Sequence, residues 1–214
     1  MQRLKDEFLN KLENIVPFTN SHILEIGCGT GNRSIDIAER CLKLEALEPD
    51  SQLLTKAKEQ NSRNNIDYRL GSAETLPFDD HIFDTSIFTL SLHHVPIQKM
   101  QIAIEEAVRV TKKGGYVVFL EPQHEGSFFQ AEIIFDACDG DERREKARAY
   151  FEILNFNGYQ EIVEIDDETV FQFDSIEDFT SVFSPKQNLA RLADFLEQNK
   201  YTLYAKRRIN IFKV

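Results

Sequence analysis

Residues 23–31 read ILEIGCGTG, an apolar run that ends in an acid and three glycines spaced two apart. The run with its neighbour, HILEIG, has the character of a short buried strand. The segment after it, GNRSIDIAERC, carries Ile35, Ala38 and Cys41 at a spacing that predicts a helix packed on a sheet. Passing from strand to helix so quickly needs a sharp turn. Gly27, Gly29 and Gly31 supply backbone angles that side chains disfavour, or let a ligand approach the main chain closely. The start of the helix also aims free amides and the positive end of its dipole at the space above the turn. This corner suits a nucleotide-like ligand. The spacing G-x-x-x-x-G-K-[ST] of a phosphate loop is absent, and no lysine follows the glycines. A dinucleotide fingerprint also fits poorly, because the glycines run G-x-G-x-G and position 32 is Asn.

Working outward, LKLEAL predicts a second strand and DSQLLTKAKEQN a second helix that Asp50 can cap. IDYRLG and FDTSIFTL follow as third and fourth strands, the latter mostly apolar, as a strand covered on both faces should be. PIQKMQIAIEEAVRVTKKG opens on a proline suited to a first helical turn and closes on Gly114, and YVVFLEP is a fifth strand that Pro122 ends. Strands alternating with helical crossovers predict an open, mainly parallel sheet with helices on both faces. Before this core, Leu4, Phe8, Leu12 and Ile15 recur at helical spacing, so an amphipathic helix ending near Pro17 is expected. After it, a helix is expected on each side of DGDE, the second packing through Ala147, Phe151 and Leu154. QEIVEI and TVFQF are candidate strands around a turn DDE. DFTSVFSPKQNLARLADFLEQN reads as helical in its second half, and YTLYAKRRINIFKV as a closing strand.

A chain of 214 residues suits one domain with a full core, and its apolar runs are broken by charge before they reach membrane-spanning length. The opening MQRLKDEFLNKLENIV carries charges where a secretory signal needs an apolar stretch, so a cytoplasmic location is expected. Cys28, Cys41 and Cys138 lack the close pairing of a zinc knuckle or disulfide framework, and no metal is expected. A net charge of −11 opposes general attraction to nucleic acid. The basic clusters at Lys112 and Lys113, at 142–148 and at 205–208 read as solvated faces or strand ends. Small-molecule acceptors are favoured.

The second strand ends at Glu48, where an acid can accept hydrogen bonds from both hydroxyls of an adenosine ribose across the crevice. With Glu48 in place, the chain resembles the class I S-adenosylmethionine-dependent methyltransferases, especially the methyltransferase type 11 group. ILEIGCGTG, LEPD, GSAETLPF, FDTSIFTLSLHHV and VTKKGGYVVFLEP carry the resemblance, in that order, over about half the chain. It implies an α/β, doubly wound, Rossmann-like sheet, mostly parallel and seven-stranded, with a late antiparallel strand. The implied cofactor is S-adenosyl-L-methionine. The resemblance puts Glu25, Gly27, Cys28, Gly29 and Gly31 around the methionine portion, with Glu25 below the loop, either steadying it or helping to hold the amino group. It makes Glu48 the ribose clamp and Pro49 part of the adenine side. The group commonly has Asp at the position of Ser72, so the adenine contact there passes to a shorter neutral hydroxyl or to the backbone. Ala73 and Glu74 edge the same pocket, and Thr89 and Leu90 approach the sulfonium.

On the acceptor side, His93 and His94 stand just beyond the fourth strand, where either imidazole can line the pocket or take a proton from an acceptor hydroxyl. Glu121, His124 and Phe128 are candidates for substrate contact, with Phe129 and Phe135 as further apolar wall. The single domain, 1–214, would carry lid or acceptor-side elements at 1–20 and about 123–159. Two other roles stay open: a non-catalytic cofactor-binding scaffold acting through a protein partner, and methyl transfer to a protein or tRNA.

Overall fold

The structure, a computed structural model, describes residues 1–61 and 63–214. Strand β1 (Gln2–Asp6) and helix α1 (Phe8–Glu13) precede the core. Then come β2 (His22–Ile26), α2 (Asn32–Ala38), β3 (Lys43–Glu48), α3 (Ser51–Gln60), β4 (Ile66–Leu70) and β5 (Phe83–Thr89). A 3-10 turn at Leu92–His94 leads towards α4 (Met100–Val110), β6 (Thr111–Pro122), α5 (Ser127–Phe135) and α6 (Arg143–Asn155). The chain continues with β7 (Gln160–Gln172), α7 (Ile176–Phe183), α8 (Leu192–Gln198) and β8 (Thr202–Lys213).

The strands of the described residues join one eight-stranded sheet in the order β1-β7-β8-β6-β5-β2-β3-β4. β2 pairs in parallel with both β3 and β5, and β3–β4 and β5–β6 are parallel too. β8 is the late antiparallel strand, paired with β6 and β7. Successive side chains on each strand go to opposite faces. Leu24, Ile26, Val117 and Phe119 therefore pack on the side of α4 and α6, while Ile23, Val118 and Leu120 pack on the side of α1 and α2. The mostly parallel, doubly wound sheet implied above is what forms. The chain departs from β2 to β3 in one direction and returns to β5 in the other, and ligands bind outside the carboxyl ends of strands at such a switch point.

Several local expectations need correction. Residues 2–6 are not helical but pair with the outer edge of β7, adding an eighth strand, and Leu4 is exposed at an irregularity of that strand. The helical spacing there loses to an available sheet edge, since an unpaired strand edge offers a full row of backbone partners. The helix α4 stops at Val110, and β6 takes up residues 111–115 that the glycine had suggested as a helix end. β7 runs unbroken through Asp166, Asp167 and Glu168, because Asp167 is buried against Arg207 rather than exposed in a turn. On α6 the buried face is Lys146, Ala149, Glu152 and Ile153, whereas Phe151 and Leu154 face outward. Helix α2 buries Ser34, Ile37 and Ala38.

A third cluster, built from α5, α7, α8 and the neighbouring ends of β7 and β8, buries Phe135, Phe173, Phe179 and Phe183. Full burial of a phenylalanine contributes about 1.5–3 kcal/mol. This cluster anchors α5 beside the switch point as a packed subcore.

Candidate active site

Above the carboxyl ends of the central strands lies a cavity of about 840 Å³, within the size range of ligand pockets. The glycine turn forms one wall. Gly27, Gly29 and Gly31 all have positive φ, at 76°, 56° and 78°, but they serve different ends. A β-carbon on Gly27 would stand 2.4 Å from Ser91 Cβ, and one on Gly31 would stand 2.6 Å from Tyr68 Oη, so these two let the turn pack on its neighbours. A β-carbon on Gly29 would meet nothing within 4 Å, and Gly29 lines the cavity. Gly29 is thus the one whose missing side chain leaves ligand space. Gly29→Ala is expected to fold, with a left-handed backbone cost of about 1–2 kcal/mol, and to weaken ligand binding at the turn, whereas Gly27→Ala should chiefly destabilise the fold. Thermal melts and ligand titration of the two variants check this; equal melting and equal affinity would contradict it.

Glu48, buried at the end of β3, accepts the backbone N–H of Gly29 at 2.8 Å through Oε2 and that of Asp50 at 3.0 Å through Oε1. Asp50 in turn caps α3, its Oδ1 accepting from Gln52 and Leu53. Pro49, Ser72, Ala73 and Glu74 line the same end of the cavity, and Cys28, Thr89 and Leu90 line its middle. Burial pushes the Cys28 thiol well up, so it is a neutral wall rather than a nucleophile. Leu90 holds a φ of 60°, a conformation rare for leucine, and its N–H donates to Leu120 O at 2.8 Å. Glu25 and Gly31 do not line the cavity. Glu25 is fully buried beneath the turn, accepting from Ser34 Oγ and from Thr89 Oγ1 at 2.8 Å, and burial raises its pKa. Its position is that of a brace for the loop.

At the far end, the 3-10 turn presents His93 and His94 to the cavity. Glu121 lies underneath, with Oε1 accepting from Ser91 N at 3.1 Å and Leu92 N at 2.9 Å and Oε2 holding His93 Nδ1 at 2.5 Å. Both its oxygens are engaged and it does not line the cavity, so the expectation of direct substrate contact gives way to a positioning role. His124 also misses the cavity, stacking on Phe129 with ring centroids 5.8 Å apart. Phe128 and Phe129 do line it, while Phe135 is buried in the third cluster.

Sequence reading missed the residues that face the histidines. Glu142 at the start of α6 reaches His94 Nδ1 at 3.2 Å and His93 Nε2 at 3.8 Å, and Lys146 one turn on lies 3.4 Å from Glu142 and 3.5 Å from Glu132. The charged run 142–148 is a solvated face at Arg143, Arg144 and Arg148, as expected, but Lys146 within it is buried, and no spacing rule links it to His93. The hydrogen bond to Glu142 raises the His94 pKa despite partial burial. Burial pushes Glu132 up to about 7, with Lys146 offsetting part of the rise. Because the folded state then holds this proton to higher pH than the unfolded chain, stability falls as pH rises from about 4.5 to 7. Glu132→Gln should remove roughly 1–3 kcal/mol of that fall. Urea unfolding at pH 5 and pH 7.5 tests it, and an unchanged difference between the two pH values would refute it.

Residues 24–119 match the methyltransferase domain family Methyltransf_11. The chain is 40% identical over 131 residues to the malonyl-[acyl-carrier protein] O-methyltransferase of Buchnera aphidicola, covering 61% of this chain and 50% of that one. It is 31% identical over 127 residues to the ubiquinone/menaquinone biosynthesis C-methyltransferase of Rickettsia massiliae, covering 55% of this chain and 49% of that one. The chain thus spans about half the length of these curated relatives. Among solved structures, a SAM-dependent methyltransferase from Aquifex aeolicus superposes with a TM-score of 0.60 at 14% identity, over 94% of this chain and 88% of that one. Among the described residues no helix is long and apolar enough to cross a membrane.

Proposed function

Since the chain has the fold of the class I S-adenosylmethionine-dependent methyltransferases, whose cofactor is S-adenosyl-L-methionine, we propose that it methylates a small-molecule acceptor. One observation carries the reading: a single cavity runs from the glycine turn and Glu48 to the histidine pair. The cofactor fits the near end, where Gly29 leaves open space and Glu48, 6% exposed, offers acceptor oxygens beside it. In this reading Glu48 holds the ribose hydroxyls, Pro49, Ser72, Ala73 and Glu74 edge the adenine, and Cys28, Thr89 and Leu90 flank the methionine end. Glu25 supports from below. When bound, the cofactor supplies an electrophilic methyl group on a positively charged sulfur.

What remains for this chain is to hold an acceptor atom in line and keep water out. Phe128 and Phe129 form the apolar wall, and His93 and His94 are the polar groups that orient an acceptor or accept its proton. The elements within 1–20 and 123–159 act as acceptor-side cover, supported by the position of Arg3, Phe128 and Glu142 on the cavity wall. The whole chain works as one domain, in the cytoplasm. The two curated relatives bear names that specify different acceptor atoms, oxygen and carbon, so similarity favours neither.

Titration calorimetry of the full chain with S-adenosylmethionine and with S-adenosylhomocysteine tests the reading. Saturable binding of both is expected. Failure of well-folded protein to bind either would overturn it, and binding with no methylation across an acceptor panel would favour a scaffold.

A further inference from the structure

The acceptor end of the cavity has a constellation that methyl transfer does not require. His93, His94 and Glu142 each bring one donor atom into a group whose members all lie within 4.8 Å of one another. We propose that these three residues form a binding site for a divalent transition-metal ion of the zinc class, open towards the cavity for an oxygen of the acceptor.

Two imidazoles and a carboxylate are the donor set of open zinc sites, which reach ligand distances of about 2.0–2.2 Å and leave a position for a further ligand. The contacts of 3.2 Å between His94 Nδ1 and Glu142 and 3.8 Å between His93 Nε2 and Glu142 place these donors at separations that a shared ion can bridge with small side-chain shifts.

A second and independent observation is the support beneath. His93 is 4% exposed and its Nδ1 is tied at 2.5 Å to Glu121, whose other oxygen is locked by two backbone amides. That bond turns Nδ1 to Glu121 and leaves Nε2 facing Glu142 and the cavity, so the neutral imidazole protonated on Nδ1 is the form that would bind an ion. A carboxylate behind the imidazole is the usual companion of a metal-bound histidine, fixing both tautomer and ring orientation. Such rigidity costs side-chain freedom that a mere wall residue has no reason to give up.

Lys146 is the group that argues against a cation. Its Nζ stands 3.4 Å from Glu142 Oε2, the oxygen that also lies 3.8 Å from His93 Nε2, while Oε1 faces His94, and Glu132 shares the ammonium from the other side at 3.5 Å. Glu142 can therefore give one oxygen to the ion and keep the other on Lys146. Asp139 also lines the cavity. At the sequence level the cluster is invisible: His93 and Glu142 are far apart in the chain, and the adjacent histidines have no spacing that marks a metal site.

The ion site stands on its own donors, while its task of orienting an acceptor oxygen rests on the methyltransferase reading. The test uses the full chain freed of metal by chelation, titrated with Co²⁺ followed by visible absorption and with Zn²⁺ followed by calorimetry. One saturable site is expected, with His93→Ala and Glu142→Gln lowering affinity at least tenfold. Glu121→Gln, which leaves all three donors in place, should weaken binding about 10- to 100-fold. Circular dichroism melts establish that each variant is folded, and His94→Ala, at a half-exposed position, serves if His93→Ala is not. Absence of saturable binding, or the same affinity in the variants, overturns the inference. Parallel titration with S-adenosylhomocysteine separates the two readings: cofactor without metal binding defeats only the ion site, and metal without cofactor binding defeats only the methyltransferase assignment.

Discussion

Asp167→Ala should cost about 3–5 kcal/mol of folding stability, the largest single-residue effect expected outside the apolar core. Asp167 sits inside β7, 3% exposed, with Arg207 of β8 at 1%. Its Oδ2 accepts from Arg207 Nε at 2.7 Å and also from Arg207 Nη2, and its Oδ1 accepts from Lys11 Nζ at 2.8 Å. Arg207 Nη2 reaches on to Asp6 Oδ1 at 2.7 Å, and Asp6 is shared with Arg33 at 3.0 Å. Removing Asp167 leaves a guanidinium that is 1% exposed with Asp6 as its one remaining carboxylate partner. Urea unfolding at pH 7 measures the loss; a cost below about 1 kcal/mol would mean that the network behaves as a solvated surface pair.

The same network has an acid limb. Burial alone would raise the Asp6 pKa, but the Arg207 hydrogen bond and the charges of Arg33, Arg207 and Arg3 outweigh it and hold the group below the usual carboxylate range. A carboxylate with a depressed folded pKa stabilises above its unfolded value, and the contribution is lost as pH falls below about 3.8 towards the folded value. Asp6→Asn should flatten that limb of the stability curve.

With Glu48 as the proposed ribose clamp, Glu48→Ala is the second large effect, a loss of about 1–3 kcal/mol in cofactor affinity, or roughly 5- to 150-fold, because the ribose hydroxyls would lose a buried acceptor. The carboxylate also holds the N–H groups of Gly29 and Asp50, so part of the loss will come from a looser glycine turn. Glu48→Gln separates the contributions, since it keeps one acceptor oxygen and changes the charge. Calorimetry with S-adenosylhomocysteine reads both variants. Wild-type affinity in folded Glu48→Ala would remove Glu48 from the cofactor site.

The half of the chain that carries the glycine turn was readable because its signals are local. A strand that enters a helix through alternating glycines has few other solutions, and Glu48 follows at the end of the next strand in register with that turn. Asp50 as a helix cap is local in the same way. The acceptor end was not readable. Glu121 looked like a substrate ligand because it closes a strand at the crevice, yet its two oxygens are consumed by a 3-10 turn some thirty residues earlier. Lys146 and Glu142 looked like parts of a solvated run, and only the docking of α6 beside the 3-10 turn buries the lysine and brings the glutamate to the histidines.

Periodicity and turn chemistry therefore settled the parallel core, its helices and the nucleotide-like corner, because each depends on contacts within a few residues or between adjacent strands. The N-terminal edge strand, the unbroken β7 and the histidine–carboxylate cluster came from long-range partners: a free sheet edge, a buried arginine and a helix from a distant segment. In each of those places the local preference is worth a few tenths of a kcal/mol per residue, about 0–0.7 for ordinary helix propensities. A satisfied sheet edge or a paired buried charge outweighs it.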